Sequence, residues 1–171
     1  MTHATRLLGL LGLMLWCIGC ARLAPAPLEP VTPWTASAAL GQGDARLDAS
    51  LRLVIAGLDE DEAGRPARAL ASYERAVRID PTNPFAYLAL ARHHLEAGSL
   101  FEASAFLEQA RALFESQGRL GPDVDVWGIG LRAGIDREEG REELAVTRFE
   151  AARALSPRIW ADEQLSAAEL R

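Results

Sequence analysis

Residues 50–81, SLRLVIAGLDEDEAGRPARALASYERAVRIDP, decide the fold, because their spacing recurs. From Gly64, Ala69, Tyr73, Ala76 and Pro81 follow at intervals of five, nine, twelve and seventeen residues. The same intervals lead from Gly98 to Ala103, Leu107, Ala110 and Glu115, and from Gly140 to Ala145, Phe149, Ala152 and Pro157. Apolar and small residues at these steps fall on one face of a helix. A small residue on that face lets two backbones approach, and proline cannot continue a helix. Each Gly is therefore read as the hinge between a helix A before it and a helix B after it. Internal repetition of this length points to a stacked helical array.

In the first unit Leu53, Ala56 and Gly57 lie on helix A, and Ala69, Tyr73 and Ala76 on helix B, with Pro66 in the first turn of B. The stripe Leu47, Leu51, Val54, Leu58 suggests that helix A starts near Asp44. The second unit opens on Asn83-Pro84, a good N-cap followed by a good first helical residue. Tyr87, Leu90 and Ala91 form its A face, and Ser99 and Glu102 have capping-box spacing at the start of its B helix. The third unit begins 42 residues after the second, an insertion of eight around residues 115–122, ESQGRLGP, that extends helix B, the loop, or both. Two phases compete for its helix A. Counting back from Gly140 puts Ile129, Arg132 and Ala133 in the core, whereas the more apolar stripe is Val124, Trp127, Leu131, Ile135. Gly128, Gly130 and Gly134 either allow close packing there or weaken the helix.

These intervals resemble the tetratricopeptide repeat (TPR), a 34-residue pair of antiparallel helices. The resemblance implies an all-α, right-handed solenoid of about three units, at residues 50–83, 84–117 and 124–157. A C-terminal capping helix over 158–171 would cover the last unit. It also implies a protein-binding groove lined by the A helices. Carried over position by position, the groove comprises Leu51, Val54 and Leu58, then Phe85, Leu88, Arg92 and Leu95, then Trp127 and Arg137. Family members that clamp a carboxylate use Lys and Asn at such positions. Neither is present here, so the expected partner is a protein or peptide with an apolar or amphipathic segment. The same residues could instead pack against the chain's own segment around Leu40–Leu47, or form a homodimer interface.

A length of 171 residues suits one domain, and Ala, Leu, Arg and Glu in abundance suit helices. All eighteen basic residues are Arg, and the net charge of −6 argues against a nucleic-acid partner. The two cysteines, Cys17 and Cys20, cannot form a disulfide framework or a thiolate zinc site.

The N-terminus, MTHATRLLGLLGLMLWCIGC, has Arg6 before a twelve-residue apolar run, Leu7–Ile18. That is shorter than the ~20 residues of a spanning helix and fits a secretory signal. Cys17-Ile18-Gly19-Cys20 resembles the lipobox of bacterial lipoproteins, which implies a signal peptide over 1–19 and lipidation at Cys20. Ala21 next to that cysteine implies the outer membrane of a Gram-negative envelope, facing the periplasm. Residues 20–43, with Pro25, Pro27, Pro30 and Pro33, read as a tether to a repeat domain over 44–171. Trp34 is either idle in that tether or docked on the domain.

No nucleophile–base arrangement, phosphate loop or calcium loop is visible. His93 and His94, adjacent on a helix, diverge by about 100° and suit packing better than chelation. The runs Asp59-Glu60-Asp61-Glu62 and Glu138-Glu139 read as solvated acidic turns. The expected function is therefore a non-enzymatic, cofactor-free, lipid-anchored interaction module, a scaffold or assembly factor for a cell-envelope complex of the secretion, pilus or outer-membrane and cell-wall type. The alternative is a self-associating structural lipoprotein whose groove is filled by its own chain or a second copy.

Overall fold

The computed structural model describes residues 29–171. The signal peptide, Cys17, Cys20 and the tether through Leu28 lie outside the described residues. All regular structure within 29–171 is helical, and no helix there is long and apolar enough to cross a membrane. The order is α1 (Ala36–Ala39), α2 (Ala45–Glu62), α3 (Pro66–Ile79), α4 (Pro84–Glu96), α5 (Leu100–Ser116), α6 (Pro122–Glu138), α7 (Glu142–Leu155) and α8 (Ala167–Leu170). The pairs α2/α3, α4/α5 and α6/α7 are the A and B helices of three units.

The hinge glycines have a common physical role. Gly64, Gly98 and Gly140 have φ of +69°, +72° and +77°, the left-handed region where a Cβ is penalised. Each donates its N–H to a carbonyl three residues back, at Asp61, Leu95 and Arg137. The next N–H reaches five residues back, to Glu60, His94 and Asp136, at 2.8–2.9 Å. This is the Schellman termination, which satisfies otherwise orphaned carbonyls of helix A. Gly118 ends α5 in the same way.

Helix starts follow side-chain chemistry. The Asp44 carboxylate accepts from the Arg46 and Leu47 N–H groups, so α2 does begin there. The Asn83 amide oxygen accepts from Phe85 N–H at 3.0 Å, with Pro84 at the first helical position. Ser99 departs from the expected capping box: it is the N-cap residue of α5, but its side chain makes no capping bond.

Packing decides the phase of α6. The stripe Val124, Trp127, Leu131, Ile135 is buried, yet Ala133 is buried too, because α6 is enclosed by α4, α5 and α7. No longer turn is needed, since α7 starts at Glu142. Arg132 stays half-exposed and pairs with Glu108 and the Ser104 hydroxyl. A Cβ on Gly130 would lie 2.1 Å from the Trp160 ring, and one on Gly134 would lie 2.8 Å from Leu95. Those two glycines therefore permit close packing; Gly128 faces open space. The insertion does both things allowed to it: α5 runs 17 residues against 14 in α3 and α7, and residues 117–121 form a loop.

Both chain ends fold back onto the array. From Val31 onward the expected tether is part of the domain: Val31 N–H donates to Leu155 O, and Trp34 N–H to Asp123 O. Trp34 meets Phe85 and Phe114 edge-on, at 5.0 and 6.2 Å, under the Arg119 guanidinium. The C-terminal segment is not one long capping helix. It is a series of turns with buried Ile159, Trp160 and Leu165, ending in the single turn of α8 on α2. There the two ends meet, Ser37 N–H donating to Arg171 O at 2.6 Å.

Candidate functional site

Most residues expected to line an A-helix groove are buried, and Phe85, Arg92, Trp127 and Arg137 meet the chain's own ends, whereas Leu88 lines a separate cleft between α5 and α7. Leu51, Val54, Leu58, Phe85, Leu88 and Trp127 are fully or nearly fully buried. Leu95 is half-buried against Gly134. Trp34 covers Phe85, and the Trp127 indole N–H donates to Trp34 O at 3.0 Å. Arg137 bonds the Glu163 side chain at 3.1 Å and lies over the Phe149 ring, holding the returning tail. The apolar surface that an external peptide would use is thus already spent on residues 31–40 and 159–170.

Arg92 is the polar centre of this face. Its side chain is 3 % exposed and pairs with Asp61, itself 6 % exposed, and with Glu96. It also reaches Leu165 O at 3.5 Å, which ties the tail to α4. Asp61 further accepts from the Tyr73 hydroxyl at 2.9 Å and faces His93 Nδ1 at 3.4 Å. Burial and the Asp61 charge push the Tyr73 hydroxyl well above its ordinary pKa, so it serves as a neutral donor. The expectation of a solvated acidic turn fails at Asp61: its carboxylate is an internal ion-pair partner, and Asp59 at the same turn meets Arg171 at 3.0 Å.

The open concavity lies elsewhere. A cleft of about 870 Å³ has α6 as its floor and α5 and α7 as its walls. Leu107, Ile129 and Leu144 supply apolar surface, and Leu120 of the inserted loop closes one end. Asp136 is buried in the floor, 1 % exposed, and pairs with Arg148 and with Arg141. Arg111, Arg132, Glu108 and Asp125 complete the charged lining. Sequence reasoning missed this site. Asp136 stands 42 residues after His94, and Arg148 stands 42 after Phe106, so the ion pair is in register with an aromatic contact. In the second unit His94, Phe106 and Tyr87 stack together, and burial beside His93 lowers the His94 pKa. One signal was available: Arg65–Glu60 and Arg141–Asp136 are the same five-residue pair across the same Schellman turn.

Paired helices joined by glycine-centred turns and stacked in sequence define a helix-hairpin repeat protein. The tetratricopeptide repeat family model matches residues 62–119, from the last turn of α2 through α5 to the loop beyond it. The matched segment is similar to tetratricopeptide repeats, modules that are typically non-catalytic and bind proteins. No curated protein and no solved structure matches it.

Proposed function

We propose that this protein is a lipid-anchored TPR scaffold or assembly factor for a cell-envelope complex. It is held by Cys20 at the outer membrane and faces the periplasm. The lipobox-like Cys17–Cys20 run and the charge of −6 support the address, and the repeats support protein binding. One observation carries the finer reading: the A-helix face is covered by residues of the same chain, with Phe85, Arg92, Trp127 and Arg137 of the carried-over groove residues meeting the chain's own ends. A partner then engages another face. Site-specific photocrosslinking in intact envelopes tests this: adducts with a discrete protein are expected from the outer surface of the array. A uniform lack of adducts at every position would reject the scaffold reading. Cys20→Ala is expected to abolish acyl labelling and membrane retention.

A second reading draws on the same covered face, a structural lipoprotein that self-associates through its remaining surface. Sedimentation separates the two. A mass that rises with concentration toward a dimer favours self-association, and a constant monomer favours the scaffold.

A further inference from the structure

We infer that the cleft between α5 and α7 is a docking groove for an acidic, leucine-bearing amphipathic helix of a protein partner. The inference rests on the reading of the chain as a protein-binding module, and it names that module's surface and its partner's chemistry. Shape comes first. Two helices flank a third at the cleft floor, and an added helix is the secondary structure that fits such a trough through anchors at i, i+3, i+4 and i+7. A helix of about 14 residues spans ~21 Å, shorter than the 17-residue α5 that forms one wall.

Chemistry then selects the occupant. Leu120 and Leu144 are 44 % and 48 % exposed where the cleft opens, which is unusual for leucines flanking a concave apolar floor. Four arginines line the cleft against three carboxylates, in a chain whose overall charge is −6. Two of those carboxylates are already engaged, Glu108 by Arg132 and Asp136 by both Arg141 and Arg148. Arg111 is exposed and has no carboxylate within ion-pair distance among the described residues. The buried Asp136 fixes two guanidinium groups while leaving them 43 % and 38 % exposed; Arg141 also meets Glu139, so Arg148 and the unpaired Arg111 are the groups best placed to meet an incoming carboxylate. The equivalent position between the first two units holds the Tyr87–Phe106–His94 stack.

The test uses the full chain in detergent and two labelled peptides of about 14 residues, roughly 21 Å as helices. They share one leucine stripe; one carries Glu at the flanking positions and the other Lys. Fluorescence anisotropy is expected to show the Glu peptide binding at least about tenfold more tightly, with affinity falling as salt rises. Arg111→Glu and Leu120→Asp, both at exposed positions, are each expected to weaken it roughly fivefold or more without altering the melting curve. Arg75→Glu on α3, away from the cleft, is expected to leave it unchanged. Equal binding of the two peptides, no binding of the Glu peptide, or indifference to both cleft substitutions would overturn the inference. Photocrosslinking keeps it separate from the broader reading: adducts only outside the cleft would reject the groove and leave the scaffold standing.

Discussion

Gly130→Ala tests the packing of the C-terminal segment by the sign of its effect. Gly130 lies inside α6, where alanine is preferred to glycine by up to about 1 kcal/mol. An added Cβ would sit 2.1, 2.2 and 2.3 Å from three atoms of the Trp160 ring, against an ordinary carbon–carbon contact of about 3.5–4.0 Å. The indole is rigid and 1 % exposed, and it has Phe149 on another side at 6.1 Å, so it cannot yield by a small rotation. Either the ring shifts by more than an ångström, an overpacking cost of about 1–3 kcal/mol, or it leaves its site. Losing the buried indole altogether costs about 3–5 kcal/mol. Net of a helix gain of up to about 1 kcal/mol, the variant is expected to lose from near zero to about 4 kcal/mol, and not to gain. That lowers Tm by about 2–4 °C per kcal/mol in a chain of this size. Gly128→Ala, where a Cβ meets nothing within 4 Å, is the matched control and should gain up to about 1 kcal/mol. In a Trp160→Ala background Gly130→Ala should turn stabilising as well. Urea unfolding of the four proteins gives the cycle. If Gly130→Ala stabilises the otherwise unchanged chain, Trp160 does not pack on α6 and the covered A-helix face is refuted.

Other substitutions probe the remaining long-range ties. Asp61→Ala leaves the buried Arg92 with only the half-exposed Glu96 as partner and should cost up to about 3–5 kcal/mol, with Asp61→Ala/Arg92→Met recovering much of that in chemical denaturation. An Asp61→Ala protein as stable as the parent would show that the pair is solvated. Trp34→Ala should destabilise by about 3 kcal/mol or somewhat less, because Trp34 is only half-buried; no effect would mean that residues 31–40 do not dock. His94 has a folded pKa below its ordinary 6.5, through burial and neighbouring His93, opposed by Glu102 and Glu74. The unfolded chain therefore binds more protons just below pH 6.5, and stability contributed by neutral His94 is lost as pH falls through that value toward the folded pKa. The urea midpoint should fall from pH 7.5 to pH 5.5, and His94→Phe should reduce that fall; an equal fall in both proteins would assign it to other groups.

What was legible in the sequence was local. Gly64, Gly98 and Gly140 mark left-handed turns that any neighbour arrangement requires, and Asp44, Asn83 and the helix-starting prolines act within a few residues of themselves. The pairing of helices followed from those marks. The positions of the ends did not, because residues 29–40 and 156–171 have little helical periodicity. Their apolar side chains choose partners as far as 93 residues away, as the Trp127–Trp34 hydrogen bond does. Charge was misread at Asp61, and Asp136 was not singled out, for a related reason. Both stand near helix ends, where a carboxylate is usually solvated. Each is buried by a cation from another element, Arg92 of α4 for Asp61 and Arg148 of α7 for Asp136. The phase of α6 resisted a single-face reading because this helix is buried on more than one side.

The covered face and the open cleft have one origin in how a short array must finish. Three A helices present a continuous apolar stripe, and a soluble surface rarely leaves so much of it open. Residues 31–40 and 159–170 close it, and the bonds to Trp34 O, Leu165 O and Glu163 fix where they lie. Those bonds involve Trp127, Arg92 and Arg137, three of the residues expected from the sequence to line a groove, which here hold the chain's own ends. Among the described residues, the cleft between α5 and α7 has no such cover. At three matched positions Tyr87, His94 and Phe106 give way to Ile129, Asp136 and Arg148, so the aromatic filling of the second unit is absent from the third. The eight-residue insertion adds a turn to α5 and sets Leu120 at the end of the trough. Insertion and substitutions act on the same cavity. A partner that respects the closed face therefore meets a concave, amphipathic opening at the junction where the repeat period breaks.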